Sequence, residues 1–352
     1  LVRDRRHGQR RERTAGPPDD VLPGDAVAPQ DVRPVVRVEI ADTDDAFISE
    51  QDLTKGSMQL IDEDRAKALY DYMGPAREIS GGSAANTLAG LARLGHKTAF
   101  IGQVANDQLG NVFAHDIRAG GIHFDIPARD GAPATACCYI LVTPDAQRTM
   151  NTFLGASQYL PARLIDKELI ESAAILYLEG YLWDPEEPRA AMRTAIDVAR
   201  AAGRKVALTL SDAFVISRHG PDFIAEMDAG RIDILFANEV EICALHGSED
   251  FEASVAAIAA KVPLLVCTRG EHGAIAVENG VRTEVAAEPV SRLVDTTGAG
   301  DLFAAGVFAG IAQNRPMAEC LTMGAVCAAE IISHYGARPE ADIAELVRNR
   351  LG

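Results

Sequence analysis

Two glycines, an alanine and an aspartate stand together at residues 298–301, inside "DTTGAGDLFAAG" (295–306). The run that follows, "DLFAAGVFAGIAQN", has helical apolar spacing, so Gly298, Ala299 and Gly300 are expected at a helix N-terminus. There the first N–H groups lack intrahelical partners and the helix dipole is positive. Glycines let an anion approach the backbone closely, and Asp301 would lie within a few ångströms of it. An anion hole beside a carboxylate base is what phosphoryl transfer to an alcohol requires. The same residues also read as a tight turn whose aspartate complements the dipole. A dinucleotide-binding loop is a third reading, but Phe303 stands where the last glycine of GxGxxG belongs. No Walker A loop occurs in the chain.

The elements that must hold this loop are legible from about residue 80 onwards. Strand-like runs at 97–104, 173–180, 205–211, 232–238, 263–270 and 273–280 alternate with amphipathic segments at 83–94, 107–119, 186–202, 251–260 and 316–333. That alternation predicts an α/β architecture of mainly parallel strands between helices. Near-continuous apolar strands such as "LLVC" suit a sheet buried on both faces. "CCYILVT" and "RTMNTFL" flank the turn "PDAQ" (144–147) and predict a hairpin in a second, smaller sheet. Residues 1–34 carry arginine clusters and prolines without periodicity and are expected to be disordered.

The chain has 352 residues, a net charge of -17 and 24% charged residues. Such acidity argues against nucleic acid or an anionic membrane surface as partner. No run approaches the roughly 18 apolar residues of a membrane span, and no apolar segment follows the N-terminal arginines as in a secretory signal. Six cysteines without a CxxC pair suit a reduced, cytoplasmic protein.

"DTTGAGDLFAAGVFAG" resembles the C-terminal signature of the ribokinase-like (PfkB) carbohydrate kinase family, and "GGSAANTLAGLARLG" (81–95) resembles its N-terminal one. "KGSMQLID", "RTMNTFLGAS" and "EIISHYGARP" are most similar to bacterial adenosine-kinase-like members, and the resemblance spans about residues 40–352. It implies a ribokinase-like fold over 35–352, with a small β lid from about 40–62 and 122–154. It implies Asp301 as catalytic base, the amides of Gly298, Ala299 and Gly300 as anion hole, and Arg148 over the transferring phosphate. Gly81, Gly82 and Asn86 would meet the acceptor's sugar hydroxyls, with Glu179 and Asp184 shaping the same end. Glu241 of "NEVE" (238–241) would hold Mg²⁺ through water, with Asn238 by the phosphates, although Asn238 also reads simply as a helix N-cap. Thr268, Arg269, Gly270 and Gly273 of "TRGEHGA" would contact ATP, or make a plain glycine turn. His334, Gly336 and Ala337 would line the adenine slot and a monovalent-cation site.

Family members open with a strand reading GxxxxD, whose aspartate grips the acceptor. Here "VVRVEI" (35–40) is expected to fill that strand, with Val38 near the aspartate's place and Glu39 facing the other way. The foreign composition of 1–34 and the leading Leu1 suggest an altered reading frame or another start. The expected activity is transfer from Mg·ATP to the 5′-OH of adenosine, by a monomer or homodimer. A ribose or fructose kinase is the alternative, and a catalytically weak nucleoside-binding homologue a second one. Phe153, Tyr181, Trp183 and Phe214 favour a nucleoside, whose base needs an aromatic-lined slot.

Overall fold

Strands and helices do alternate, and they build a three-layer sandwich. The structure, a computed structural model, describes residues 37–145 and 147–352 together with the short strand Val2–Arg3. The rest of the segment expected to be disordered lies outside the described residues.

The larger sheet has nine strands, in the order Val281–Val285, Ala274–Glu278, Leu264–Thr268, Ile234–Asn238, Lys205–Thr209, Ala173–Glu179, Val2–Arg3, Thr98–Ala99 and Ile122–His123. The four strands from Leu264–Thr268 to Ala173–Glu179 run parallel. Ala274–Glu278 and Val281–Val285 add an antiparallel hairpin at one edge. Strands such as "ILFA" and "LLVC" are buried along their length because helices cover both faces. One face packs against the helices Ser83–Arg93, Gln108–Ala119, Ala299–Ala312, Met317–Ile331 and Ile343–Leu351. The other packs against Glu186–Ala201, Ala213–Asp228, Glu239–His246 and Phe251–Ala259.

Helix Ala299–Ala312 is central: every residue from Leu302 to Gly310 is buried. Apolar character all round, rather than on one stripe, marks a helix enclosed by protein. Its approach to Met317–Ile331 depends on Gly306, where a Cβ would meet the Met323 carbonyl oxygen at 2.4 Å.

The smaller sheet has five strands, in the order Met58–Leu60, Arg148–Phe153, Cys137–Val142, Arg37–Asp42 and Ala76–Ser80. The expected hairpin is present, with Cys137–Val142 antiparallel to Arg148–Phe153. Three boundaries differ from expectation. Ile122–His123 pairs with Thr98–Ala99 in the larger sheet. Ala76–Ser80, preceding the first glycine loop, joins the smaller one. The stretch expected to open the larger sheet lies instead in the smaller sheet as Arg37–Asp42, because Val38 and Ile40 pack with Ile140 while Ala41 packs with Tyr139 and Leu141. Val2–Arg3 stands between Ala173–Glu179 and Thr98–Ala99 in the larger sheet. Val38 lines the cleft described below; Glu39, on the opposite face, is 1% exposed within the sheet.

No helix among the described residues is long and apolar enough to cross a membrane. All six cysteines are free thiols.

Candidate active site

A cleft of about 540 Å³ separates the two sheets and meets the N-termini of both glycine-led helices. Gly298 caps helix Ala299–Ala312 at φ 79°, and no side chain bonds to the first-turn amides. A Cβ on Gly298 would stand 2.6 Å from that of Ala337, whereas one on Gly300 would meet nothing within 4 Å. The helix start is therefore closed on the Ala337 side and open at Gly300, a cradle of backbone donors suited to an anion. Two substitutions separate these faces. Gly298→Ala combines a left-handed backbone with a clash and should cost roughly 2–4 kcal/mol. Gly300→Ala should leave thermal stability equal or slightly higher yet lower kcat, because its methyl enters the cradle. Melting curves and steady-state rates on both variants check this.

Asp301, in the first turn, accepts from Ser83 Oγ at 2.6 Å and Asn86 Nδ2 at 2.8 Å. Burial pushes its carboxyl above its ordinary value, opposed by these two bonds and by the charge of Arg338. Burial in turn holds the Arg338 guanidinium down to about 10. Asn86 is 3% exposed and its Oδ1 has no hydrogen-bond partner, so an acceptor is left free at the cleft wall.

Glu179 ends its strand against helix Ser83–Arg93, whose cap, Gly82 at φ 91°, offers no side chain. The Glu179 carboxylate takes the Ala84 amide instead, capping that helix from another element. Burial, followed by the nearby Asp301 charge, raises Glu179 to about 7. A carboxyl raised on folding binds its proton more tightly in the native state, so stability falls as pH rises from the ordinary 4.5 through about 7. The full difference is on the order of 3 kcal/mol. Urea unfolding of Glu179→Gln should therefore show a weaker loss of stability between pH 5 and 8 than the wild type.

Arg148, the first residue of its strand, reaches from the smaller sheet to the loop before Gly298. It donates to Thr296 Oγ1 and Thr297 Oγ1, both at 3.0 Å, and pairs with Asp295 at 2.5 Å. Asp295, 2% exposed, also takes the amides of Thr297 at 2.8 Å and Gly336 at 3.0 Å. It ties the glycine loop to Gly336 and Ala337 on the opposite wall. Asp295 stands in the quoted "DTTGAGD" motif, yet two of its three partners lie 41 and 147 positions away, so no local pattern points to its role.

Asn238 and Glu241 form a capping box at helix Glu239–His246: Glu241 accepts from the Asn238 backbone and side-chain amides, and Asn238 from the Glu241 amide. The N-cap reading of "NEVE" thus holds, and both residues also line the cleft. Burial raises Glu241 to about 7.

The remaining expected residues divide. Gly81, Gly82, Thr268, Gly336, Ala337 and Tyr181 line the cleft. Arg269 is turned away, over the Phe251 ring at 4.5 Å. Gly270 and Gly273 shape the turn, where a Cβ on Gly273 would meet the Val285 carbonyl oxygen at 2.0 Å. His334 bonds the buried Glu330 at 3.1 Å, away from the cleft. Asp184 pairs with Arg218 and His219 on the far side of the sheet. Three of the four aromatic residues expected in the acceptor slot are elsewhere: Phe153 is buried under the smaller sheet, Trp183 packs on Phe223, and Phe214 is 65% exposed. The cleft takes its rings from Phe100, Phe113, Tyr177, Tyr181, Phe236 and Phe303. Phe113 and Phe303 are helical and Tyr177 and Phe236 stand within strands, while Phe100 lies in a loop and Tyr181 in a short turn, so they come together from separate elements.

Comparison with known proteins agrees with this geometry. The model of the pfkB family of carbohydrate kinases matches residues 60–344. The crystal structure of adenosine kinase from Sinorhizobium meliloti is 43% identical, with a TM-score of 0.86 over 89% of this chain and 96% of that one. A probable sugar kinase from Rhizobium etli CFN 42 is 40% identical, with the same TM-score over 89% and 95%. A fructokinase from Klebsiella pneumoniae is 26% identical over 263 residues, 74% of this chain and 85% of its own. An uncapped helix start beside a buried carboxylate, in a fold shared along most of these chains, leads to one conclusion: this chain belongs to the pfkB carbohydrate kinase family, phosphotransferases that act on an alcohol group.

Proposed function

We propose that the protein transfers the γ-phosphoryl group of Mg·ATP to the 5′-OH of adenosine. The observation that carries this reading is the apolar wall that the smaller sheet gives the cleft, from Val38, Met58, Ile140 and Met150, with Leu154 and Phe100 also lining it. A planar base gains from such a wall, whereas a free sugar needs polar groups all round. The 43% identity to a structure described as an adenosine kinase supports the same choice.

In this reading Asp301 takes the hydroxyl proton while the amides at Gly298–Gly300 face the charge that develops on the phosphoryl oxygens. Arg148, fixed by Asp295 and two threonines, adds a fork of donors from the smaller sheet, which acts as the lid. No three His, Cys, Asp or Glu side chains converge as a metal cage among the described residues. That suits Mg²⁺, which keeps most of its waters and takes phosphate oxygens, with Glu241 as the nearby carboxylate. When bound, the ion would offset the negative charge of the phosphates. Thr268, Asn238 and Gly336 line the ATP end of the cleft in this reading. The location proposed with this reaction is the cytoplasm.

A sugar-kinase reading draws on Asn86 Oδ1, the unpartnered acceptor near Asp301, and on the fructokinase relatives. Calorimetry on Asp301→Asn separates the two without turnover. Adenosine should bind at least tenfold more tightly than fructose; the reverse order would transfer the assignment to a sugar.

A further inference from the structure

Gln103 stands in the loop after strand Thr98–Ala99, 7% exposed and on the cleft wall. Its Nε2 donates to two backbone carbonyl oxygens, those of Val104 and Pro127, both at 2.9 Å. Only the amide nitrogen can donate, so the two carbonyls fix which end of the side chain faces them and turn Oε1 away. Oε1 takes no hydrogen bond among the described residues, yet it is not sealed within the protein. It opens on the cleft that Gln103 lines.

The loop that carries it is held firmly. The Phe100 amide donates to the His123 carbonyl at 2.8 Å, and the Phe100 ring meets those of Phe113 and Phe124 with centroids at 5.6 and 5.7 Å. A Cβ on Gly102 would stand 2.5 Å from the Phe100 ring, so glycine lets the ring lie against the backbone. An aromatic ring and one fixed acceptor thus belong to the same short stretch of wall.

Sheet order places this stretch beyond the base. Thr268, Asn238 and Thr209 line the cleft from successive strands, followed by Tyr177 and Glu179. Asp301 lies beside the last of these, since Ser83 bonds Asp301 while the neighbouring Ala84 bonds Glu179. Strand Thr98–Ala99 comes two positions further on, about 10 Å at the usual strand spacing. An acceptor with its hydroxyl at Asp301 and the phosphates towards Asn238 reaches Gln103 with its opposite end.

We propose that Gln103 determines specificity for the acceptor's base, its Oε1 accepting a hydrogen bond from the exocyclic amino group of an aminopurine. The proposal rests on the nucleoside reading of the cleft. Nε2 is committed, so the side chain cannot turn round to offer a donor without leaving two carbonyls unpaired. A base without the amino group leaves Oε1 unpaired instead, and a site built to receive a donor rejects the analogue that lacks it.

Steady-state kcat/KM for adenosine and for purine riboside, the same nucleoside without its amino group, tests this on the wild type and on Gln103→Met. The wild type should prefer adenosine by about ten- to a hundredfold. Gln103→Met keeps the length of the side chain with at most a weak acceptor, so the preference should fall to within about threefold, through loss on adenosine. A purely structural role, in the bonds to Val104 and Pro127, would slow both nucleosides alike, so a preserved preference in Gln103→Met would overturn the proposal. Equal rates on the two nucleosides in the wild type would also overturn it while leaving adenosine as a substrate. Turnover of fructose with neither nucleoside would remove the nucleoside reading and this proposal with it. Should Gln103→Met fold poorly, the wild-type comparison still tests the proposal.

Discussion

Asp301→Asn is expected to lower kcat by about a thousandfold, within the range for a positioned general base. The fold should tolerate the change. An asparagine at 301 is the same size, its carbonyl can keep the Asn86 donor, and the Ser83 hydroxyl can turn to accept from the new amide. Adenosine and ATP should bind to within a few fold of wild type, because the lost interaction forms only as the hydroxyl ionises. Equilibrium binding and single-turnover rates on one preparation check both halves. Residual activity above about a tenth of wild type would remove Asp301 from the role of base.

Arg148→Ala should affect stability and catalysis together. The substitution leaves Asp295 buried with two backbone amides but no cation. Removing one partner of a buried pair costs about 3–5 kcal/mol, and the two amides place this case at the lower end. A melting temperature lower by roughly 4–5 °C follows for a chain of this size. The same variant loses the contacts to Thr296 and Thr297, the ties from the smaller sheet to the glycine loop, so kcat should fall by roughly a hundredfold or more. Arg148→Lys keeps the charge without the fork and should recover stability better than rate. Thermal melts with steady-state kinetics on both variants distinguish a structural strut from a group that also serves the transfer.

What was legible in the sequence follows from what is local. Helix Ala299–Ala312 and its glycine start, the "NEVE" capping box and the hairpin 137–153 are written within a few residues of one another, through spacing, glycines and caps. The alternation of strand and helix gave the layer order for the same reason. Contacts that complete the site cross long separations, and single residues do not announce them. Ser83 meets Asp301 across 218 positions, and Arg148 meets Thr296 across 148. Trp183 and Phe214 show the converse: an aromatic side chain near the site in sequence turned into the core in one case and out to solvent in the other. The stretch 37–42 entered the smaller sheet because its alternate faces both find apolar partners there, which its composition alone does not distinguish from a strand of the larger sheet.

Product analysis from a single mixture tests the central claim most directly. Wild-type protein, Mg·ATP and equal concentrations of adenosine and fructose are incubated, and the phosphorylated products are separated and quantified beside ADP. The account predicts AMP formed one for one with ADP and little fructose phosphate. Fructose phosphate as the main product, or ADP without any phosphorylated acceptor, would contradict it.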